Sequence, residues 1–217
     1  MTDKTKLIWL CNPNNPTGTI TDASKLEAFM DKVPDNVWVV VDEAYAQFAD
    51  HLSLANFIRY IGKKRVMVVR TFSKFYGLAG ARLGYVLSDP EAIQAYDTVT
   101  EPFNTNRTAI AGAAAAMQFD KAEIDKTRKK ILGDREGLVE SLGLLGFTVA
   151  PSQANFVFAK LPDGAPDATQ VVDDLMKQGV IIRDCTPWGY PHHIRVTVGT
   201  HKELEFFLSK LTAVLSH

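Results

Sequence analysis

Three short segments place chemically capable side chains directly after apolar runs. The first, Asn12-Pro13-Asn14-Asn15-Pro16-Thr17-Gly18, follows Leu7-Ile8-Trp9-Leu10-Cys11. Two prolines and a glycine fix a rigid turn there, and an asparagine held in it is either an ordinary turn residue or a donor to a ligand oxygen. The second is Val41-Asp42-Glu43-Ala44-Tyr45, a carboxylate at the end of an apolar run with a phenol three positions later. A carboxylate ionised in such a place needs a cation. Asp42 therefore caps a helix, pairs with an arginine, or meets a protonated heteroaromatic nitrogen. The third is Arg70-Thr71-Phe72-Ser73-Lys74, followed by Gly77, Gly80 and Arg82. Two hydroxyls and a guanidinium near a glycine-relaxed backbone suit a phosphate, whose oxygens accept charge-assisted bonds. Lys74 beside them is either a nucleophile or a solvated loop lysine.

These segments need elements that bring them to one place. Leu7–Cys11, Val37–Val41, Val66–Val69 and Tyr85–Leu87 read as buried parallel strands bounded by turn residues or charges. Between the first two, Asp22 caps a helix to Lys32 with an apolar stripe of Leu26, Phe29 and Met30, and Ser53–Ile61 supplies the next crossover. The result is an α/β unit with a mostly parallel sheet, in which ligands bind at the carboxyl ends of the strands. The stretch Asn106–Leu145 turns helical, with Ile124, Ile131, Leu138, Leu142 and Leu145 on one face of its charged half. After Gly146 the pattern predicts a small α+β lobe. It comprises strands at Phe147–Val149, Asn155–Phe158, Val180–Ile182 and Ile194–Val198, and helices over Ala168–Lys177 and His201–Leu215. The division is expected near Phe119, giving domains 1–119 and 120–217. Pro162–Asp167 reads as a surface loop.

Composition narrows the partners. The 217 residues are 46% hydrophobic and 23% charged, enough for a sizeable core. A net charge of -1 from 24 basic and 25 acidic residues provides no field for nucleic acid, so small molecules or protein partners are expected. No membrane span or signal segment is expected, and the default compartment is the cytoplasm. Cys11 and Cys185 lack disulfide or zinc spacing and read as reduced thiols, so no metal site is expected. His51, His192, His193, His201 and His217 form no ligand pattern and read as surface or structural residues.

The motifs NPNNPTG, DEAY and TFSKFYGLAGARLGY, followed by EPFNTNR, ANFVF and IRVTVGT, run in an order that resembles fold-type I pyridoxal-phosphate (PLP) aminotransferases, especially the histidinol-phosphate aminotransferase branch. The resemblance covers essentially the whole chain. It implies the aspartate aminotransferase fold type I, here as a partial large-domain parallel-type sheet plus a small α+β C-terminal domain. It implies that Lys74 forms the Schiff base with PLP, that Asp42 pairs with the pyridine nitrogen, and that Asn15 and Tyr45 bind the ring's phenolic oxygen. Thr71, Ser73 and Arg82 would hold the 5'-phosphate. Arg195 would clamp a substrate carboxylate with Asn155 in support, and Arg183 would help bind a substrate phosphate. The implied substrates are histidinol phosphate or a related amine and glutamate/2-oxoglutarate, and the implied assembly is a homodimer.

Members of this family are longer, so the chain is expected to represent roughly their C-terminal three-fifths. The remainder would supply further strands, a glycine-containing phosphate loop, a ring-stacking aromatic residue and an arm to the partner subunit. Exposed sheet edges and abnormal association are expected for the chain alone. Three readings follow: an aminotransferase, a catalytically dead PLP-binding or structural fragment, and a related PLP enzyme of the threonine-phosphate decarboxylase or aromatic aminotransferase type.

Overall fold

The structure is a computed structural model, and it describes residues 1–50, 53–119 and 121–216. His51 and His217, assigned above to the surface, lie outside the described residues. The chain divides into two compact units, Met1–Pro13 with Ile20–Glu123, and Asn14–Thr19 with Ile124–His217. The division expected near Phe119 leaves the Asn14–Thr19 turn with the first half of the chain. Its packing, set out below, assigns it to the second.

In the first unit, β1 (Leu7–Cys11) leads through the Asn/Pro turn to helix α1 (Ala23–Asp31) and strand β2 (Trp38–Asp42). Asp22 caps α1 by accepting from the Ser24 amide, satisfying one of the amides a helix start leaves open. Leu26 and Met30 bury the inner face of α1 among Val39, Val41, Val66 and Val68. Met30 is fully buried, so truncating it to alanine would cost about 2–5 kcal/mol. The chain then forms β3 (Val66–Thr71), β4 (Gly84–Leu87) and the helices α2 (Pro90–Val99) and α3 (Arg107–Ala116). The sheet order is β1-β2-β3-β4, with the first two pairings parallel.

Three expectations are corrected in this unit. Strand β4 runs antiparallel to β3, with Arg70 opposite Tyr85 and Thr71 opposite Gly84. The connection between them holds only a short turn at Ala79–Ala81 and stays at one end of the sheet, whereas a parallel return needs a full crossover. Strand β1 is not buried: Leu7 is 55% and Trp9 60% exposed, because β1 lies at a sheet edge. Among the described residues, the crossover after β2 contains only short 3₁₀ turns, at Ala46–Phe48 and Phe57–Tyr60.

Helix α4 (Lys121–Leu144) carries the chain into the second unit. There β5 (Thr148–Val149), β6 (Phe156–Lys160), helix α5 (Ala168–Lys177), β7 (Arg183–Asp184), β8 (His193–Thr197) and helix α6 (His201–Leu215) follow. The strands form an antiparallel sheet in the order β5-β6-β8-β7. Leu138, Leu142, Val171, Leu175, Ile194 and Leu211 join its core. Thr200 and Glu203 form a reciprocal capping box at the start of α6. The strand expected at Val180–Ile182 is replaced by the two-residue β7. Val180 turns into the core and Ile181 is 84% exposed, so the apolar run serves packing without joining the ladder. Among the described residues, no helix is long and apolar enough to cross a membrane.

Candidate active site

The first unit carries six of the ten residues singled out by sequence. Alternation along β2 puts Val39 and Val41 on the face toward α1, and therefore Asp42 on the opposite face. One Asp42 oxygen accepts from the Ala44 amide at 2.9 Å. Among the described residues no cation pairs with it, so neither the helix cap nor the arginine partner considered above is present. Thr71 at the end of β3 shares that face by the same alternation, since Val66 and Val68 point the other way.

The Lys74 loop is built around the Thr71 hydroxyl, which accepts from the Ser73 amide at 3.0 Å and donates to the Leu83 carbonyl at 3.3 Å. The Gly77 amide returns to the Lys74 carbonyl, and Gly77 itself has φ +68, which a glycine adopts without a Cβ penalty. Aromatic packing holds both flanks. Phe72 is buried against Tyr76 and Tyr85 at 5.2 and 5.6 Å, and Phe75 meets Phe48 edge-on at 5.2 Å. Lys74 is left exposed between these anchors, its amine 5.6 Å from the centre of the Tyr45 ring and in no ion pair among the described residues. Arg82 adopts a left-handed backbone, φ 57, and donates to the Ala79 carbonyl. That conformation costs about 1–2 kcal/mol for a residue with a Cβ and is common where function fixes the backbone.

The second unit carries the other four. The Asn14–Thr19 turn closes on itself through Gly18 N–H to Asn14 O, and both Asn–Pro bonds, Asn12–Pro13 and Asn15–Pro16, are cis. Gly18 lies against Ser152 so closely that a Cβ would fall 2.3 Å from its hydroxyl, and Gly18 O accepts from Gln153 N–H. This packing makes the turn part of the second unit. Asn15 Oδ1 accepts from Arg195 Nη1, so that the donor end of the Asn15 amide is not used in this bond. Arg195 lies directly opposite Arg183 in the β7–β8 ladder, and both guanidinium groups lie over the Trp188 ring, at 5.5 and 6.0 Å. Like charges in register repel, and no carboxylate pairs with either among the described residues. The Asp184 carboxylate is engaged elsewhere, accepting from Thr169 and from the Thr186 amide. Burial works to raise this carboxyl, but those bonds outweigh it and hold the group below its ordinary range. Among the described residues, Arg195 Nε and Asn155 Oδ1 are buried without a hydrogen-bond partner. An unpartnered guanidinium N–H beside a second arginine is a donor set whose chemistry suits an oxyanion.

Three features escaped the sequence reading. Glu43 is buried and receives two nitrogens of Arg70, at 2.8 and 2.7 Å. Arg135, also buried, donates to the Ala154 carbonyl and so holds the loop before Asn155. Trp188 backs both arginines. The first two depend on contacts distant in sequence, but a tryptophan between two arginine-bearing stretches was a readable signal.

The chain matches the family model described as aminotransferase class I and II over residues 1–211. It belongs to that family. Histidinol-phosphate aminotransferase from Moorella thermoacetica is 39% identical over 218 residues, an alignment covering all of this chain and 55% of that protein. The crystal structure of the Sinorhizobium meliloti histidinol-phosphate aminotransferase in complex with pyridoxal-5'-phosphate superposes with a TM-score of 0.88 at 34% identity, over 97% of this chain and 57% of that one. The fold also recurs in L-threonine-O-3-phosphate decarboxylase from Porphyromonas gingivalis, with a TM-score of 0.79 at 22% identity, covering 99% of this chain and 66% of that one. The fold is thus that of fold-type I PLP enzymes, and the chain spans about half the length of the curated relatives it matches.

Proposed function

We propose that this chain carries the lysine-bearing and substrate-carboxylate-binding portions of a histidinol-phosphate:2-oxoglutarate aminotransferase of cytoplasmic histidine biosynthesis. One observation carries the reading. A lysine amine and a carboxylate, neither ion-paired among the described residues, stand with two hydroxyls and an arginine at consecutive strand ends of one unit, in the family's order. This donor set fits PLP: an amine for its aldehyde, an anion for its pyridinium nitrogen, and hydroxyls and a guanidinium for its phosphate.

In this reading Asp42 keeps the ring nitrogen protonated, and Thr71, Ser73 and Arg82 hold the phosphate. Asn15 and Tyr45 donate to the phenolic oxygen. Bound there, PLP supplies the electron sink that makes a substrate Cα–H acidic. The Lys74 amine would anchor the cofactor, and the same amine would take up and return a substrate Cα proton. Arg195 grips the carboxylate of glutamate, Asn155 supports it, and Arg183 meets the phosphate of the other substrate. Both anions suit the same planar fork. The homodimer belongs to the same proposal, supported by exposed Val99, Phe103, Met117 and Phe119.

In a second reading the chain binds PLP without turnover. Titration of the purified chain with PLP, followed by visible absorbance, tests both. A band that is lost in Lys74→Ala and bleached by glutamate supports the aminotransferase; a Lys74-dependent band indifferent to glutamate supports the inactive binder. Absence of any Lys74-dependent band refutes both, and carbon dioxide released from an amino-acid phosphate would assign the decarboxylase reaction instead.

A further inference from the structure

Asp42 is followed by a second carboxylate, and the two have opposite surroundings. Among the described residues Glu43 is the only buried acid. Its amide continues the ladder by donating to Val69 O, and alternation places its side chain on the α1 face, away from Asp42. Arg70 lies on that same face, opposite Tyr85 of β4, and commits Nε and Nη2 to one Glu43 oxygen. Burial pushes the Glu43 carboxyl up, while Arg70 pulls it back. Burial also works to lower Arg70, but Glu43 and Tyr85 overcome it and raise the guanidinium. The pair joins the end of the strand that carries Asp42 to the strand that runs into Thr71, Ser73 and Lys74.

We infer that the Glu43–Arg70 pair is a positioning device for the cofactor site: it ties the β2 end that carries Asp42 to the strand that runs into the Lys74 loop. The inference rests on the proposed function for its cofactor but not for its mechanics. A Glu43 released from Arg70 is a buried, uncompensated acid that loosens the same strand end.

The test compares the unsubstituted chain with Glu43→Gln, Arg70→Met and Arg70→Lys, using PLP titration by visible absorbance and amide hydrogen exchange. Both neutral variants are expected to weaken PLP binding by about tenfold and to move the visible band, as loss of a supporting contact does at other ligand sites. The Ala44 and Ser73 amides, bonded to Asp42 and Thr71, should exchange faster while those of the second unit stay unchanged. Arg70→Lys keeps the charge and should restore most of the affinity. Lowered thermal stability with unchanged PLP affinity, band and exchange at Ala44 and Ser73 would overturn the inference, leaving the pair merely structural. If the unsubstituted chain binds no PLP, the proposed function fails, and the exchange of Ala44 and Ser73 in Glu43→Gln still decides the positioning role. Should Arg70→Met not fold, Glu43→Gln, which preserves volume, is sufficient.

Discussion

Arg195 donates through Nη1 to Asn15 Oδ1 at 2.5 Å, joining a residue of β8 to the turn after β1. The bond orients the Asn15 amide and fixes one arm of the guanidinium, while Nε stays buried without a partner. A preformed fork of this kind loses little side-chain freedom when a carboxylate arrives. Replacing Arg195 by alanine should raise the apparent dissociation constant for glutamate of the PLP-loaded chain by about 10–100-fold, the worth of hydrogen bonds to a charged group. Lysine should recover only part, because it carries no fork. Spectral titration with glutamate measures this, and an unchanged constant in Arg195→Ala removes it from the carboxylate clamp.

Gly18 is held in its turn by conformation and by space. Its φ is +71, and an added Cβ would lie 2.3 Å from Ser152 Oγ and 2.8 Å from Ser152 Cβ. Ser152 has little room to retreat, being buried and bonded to Phe156 O and Ala154 N. Gly18→Ala should therefore cost about 2–4 kcal/mol, adding left-handed strain to overpacking. Gly62 has φ +77 with nothing within 4 Å of a Cβ, so Gly62→Ala should cost only about 1–2 kcal/mol. Urea unfolding of the two variants separates the contributions, and equal losses would mean that the Ser152 contact contributes nothing.

The contrast between these glycines also marks how much of the molecule the sequence discloses. Helices α1, α5 and α6 are legible because Asp22, Asp167 and the Thr200–Glu203 box announce their starts within a few residues. Helix α2 carries the same kind of signal, Asp89 before Pro90 and Glu91. The direction of β4 was not legible, because Tyr85-Val86-Leu87 is apolar whichever way it runs; the loop before it decides. The side-chain chemistry at the ends of β2 and β3 was visible as Asp42, Thr71 and Lys74. The Glu43–Arg70 pair was not, since it depends on register between strands 27 residues apart. Nor was the attachment of Asn14–Thr19 to the second unit, which depends on Ser152 and Gln153.

Acid should weaken the second unit through Asp184. Hydrogen bonds from Thr186 and Thr169 hold its carboxyl below 3.8, overcoming the opposing effect of burial. A depressed folded-state value means that the stabilisation is fully present above the unfolded value, near 3.8, and is lost as pH falls through the folded one. Asp184→Asn cannot titrate, so its stability should fall less steeply than that of the unsubstituted chain below about pH 4. Thermal melts between pH 3 and 6 read the difference, and parallel profiles would deny Asp184 any linkage.

Cys185 should be chemically silent in the folded chain. Its side chain is fully buried, and burial raises the thiol to about 11 despite the opposing pull of Arg195. The thiolate is the reactive form, so a rise from 9.0 to about 11 leaves about a hundredfold less of it near pH 8, before access is considered. Cys11 is only partly buried and donates weakly to Pro13 O. Iodoacetamide at pH 8, followed by peptide mass spectrometry, should label Cys11 well before Cys185, and urea should bring the two rates together. Labelling of Cys185 at the rate of Cys11 in the native chain would mean that the β7–β8 edge opens readily, and with it the surface where Arg183 and Arg195 stand opposed.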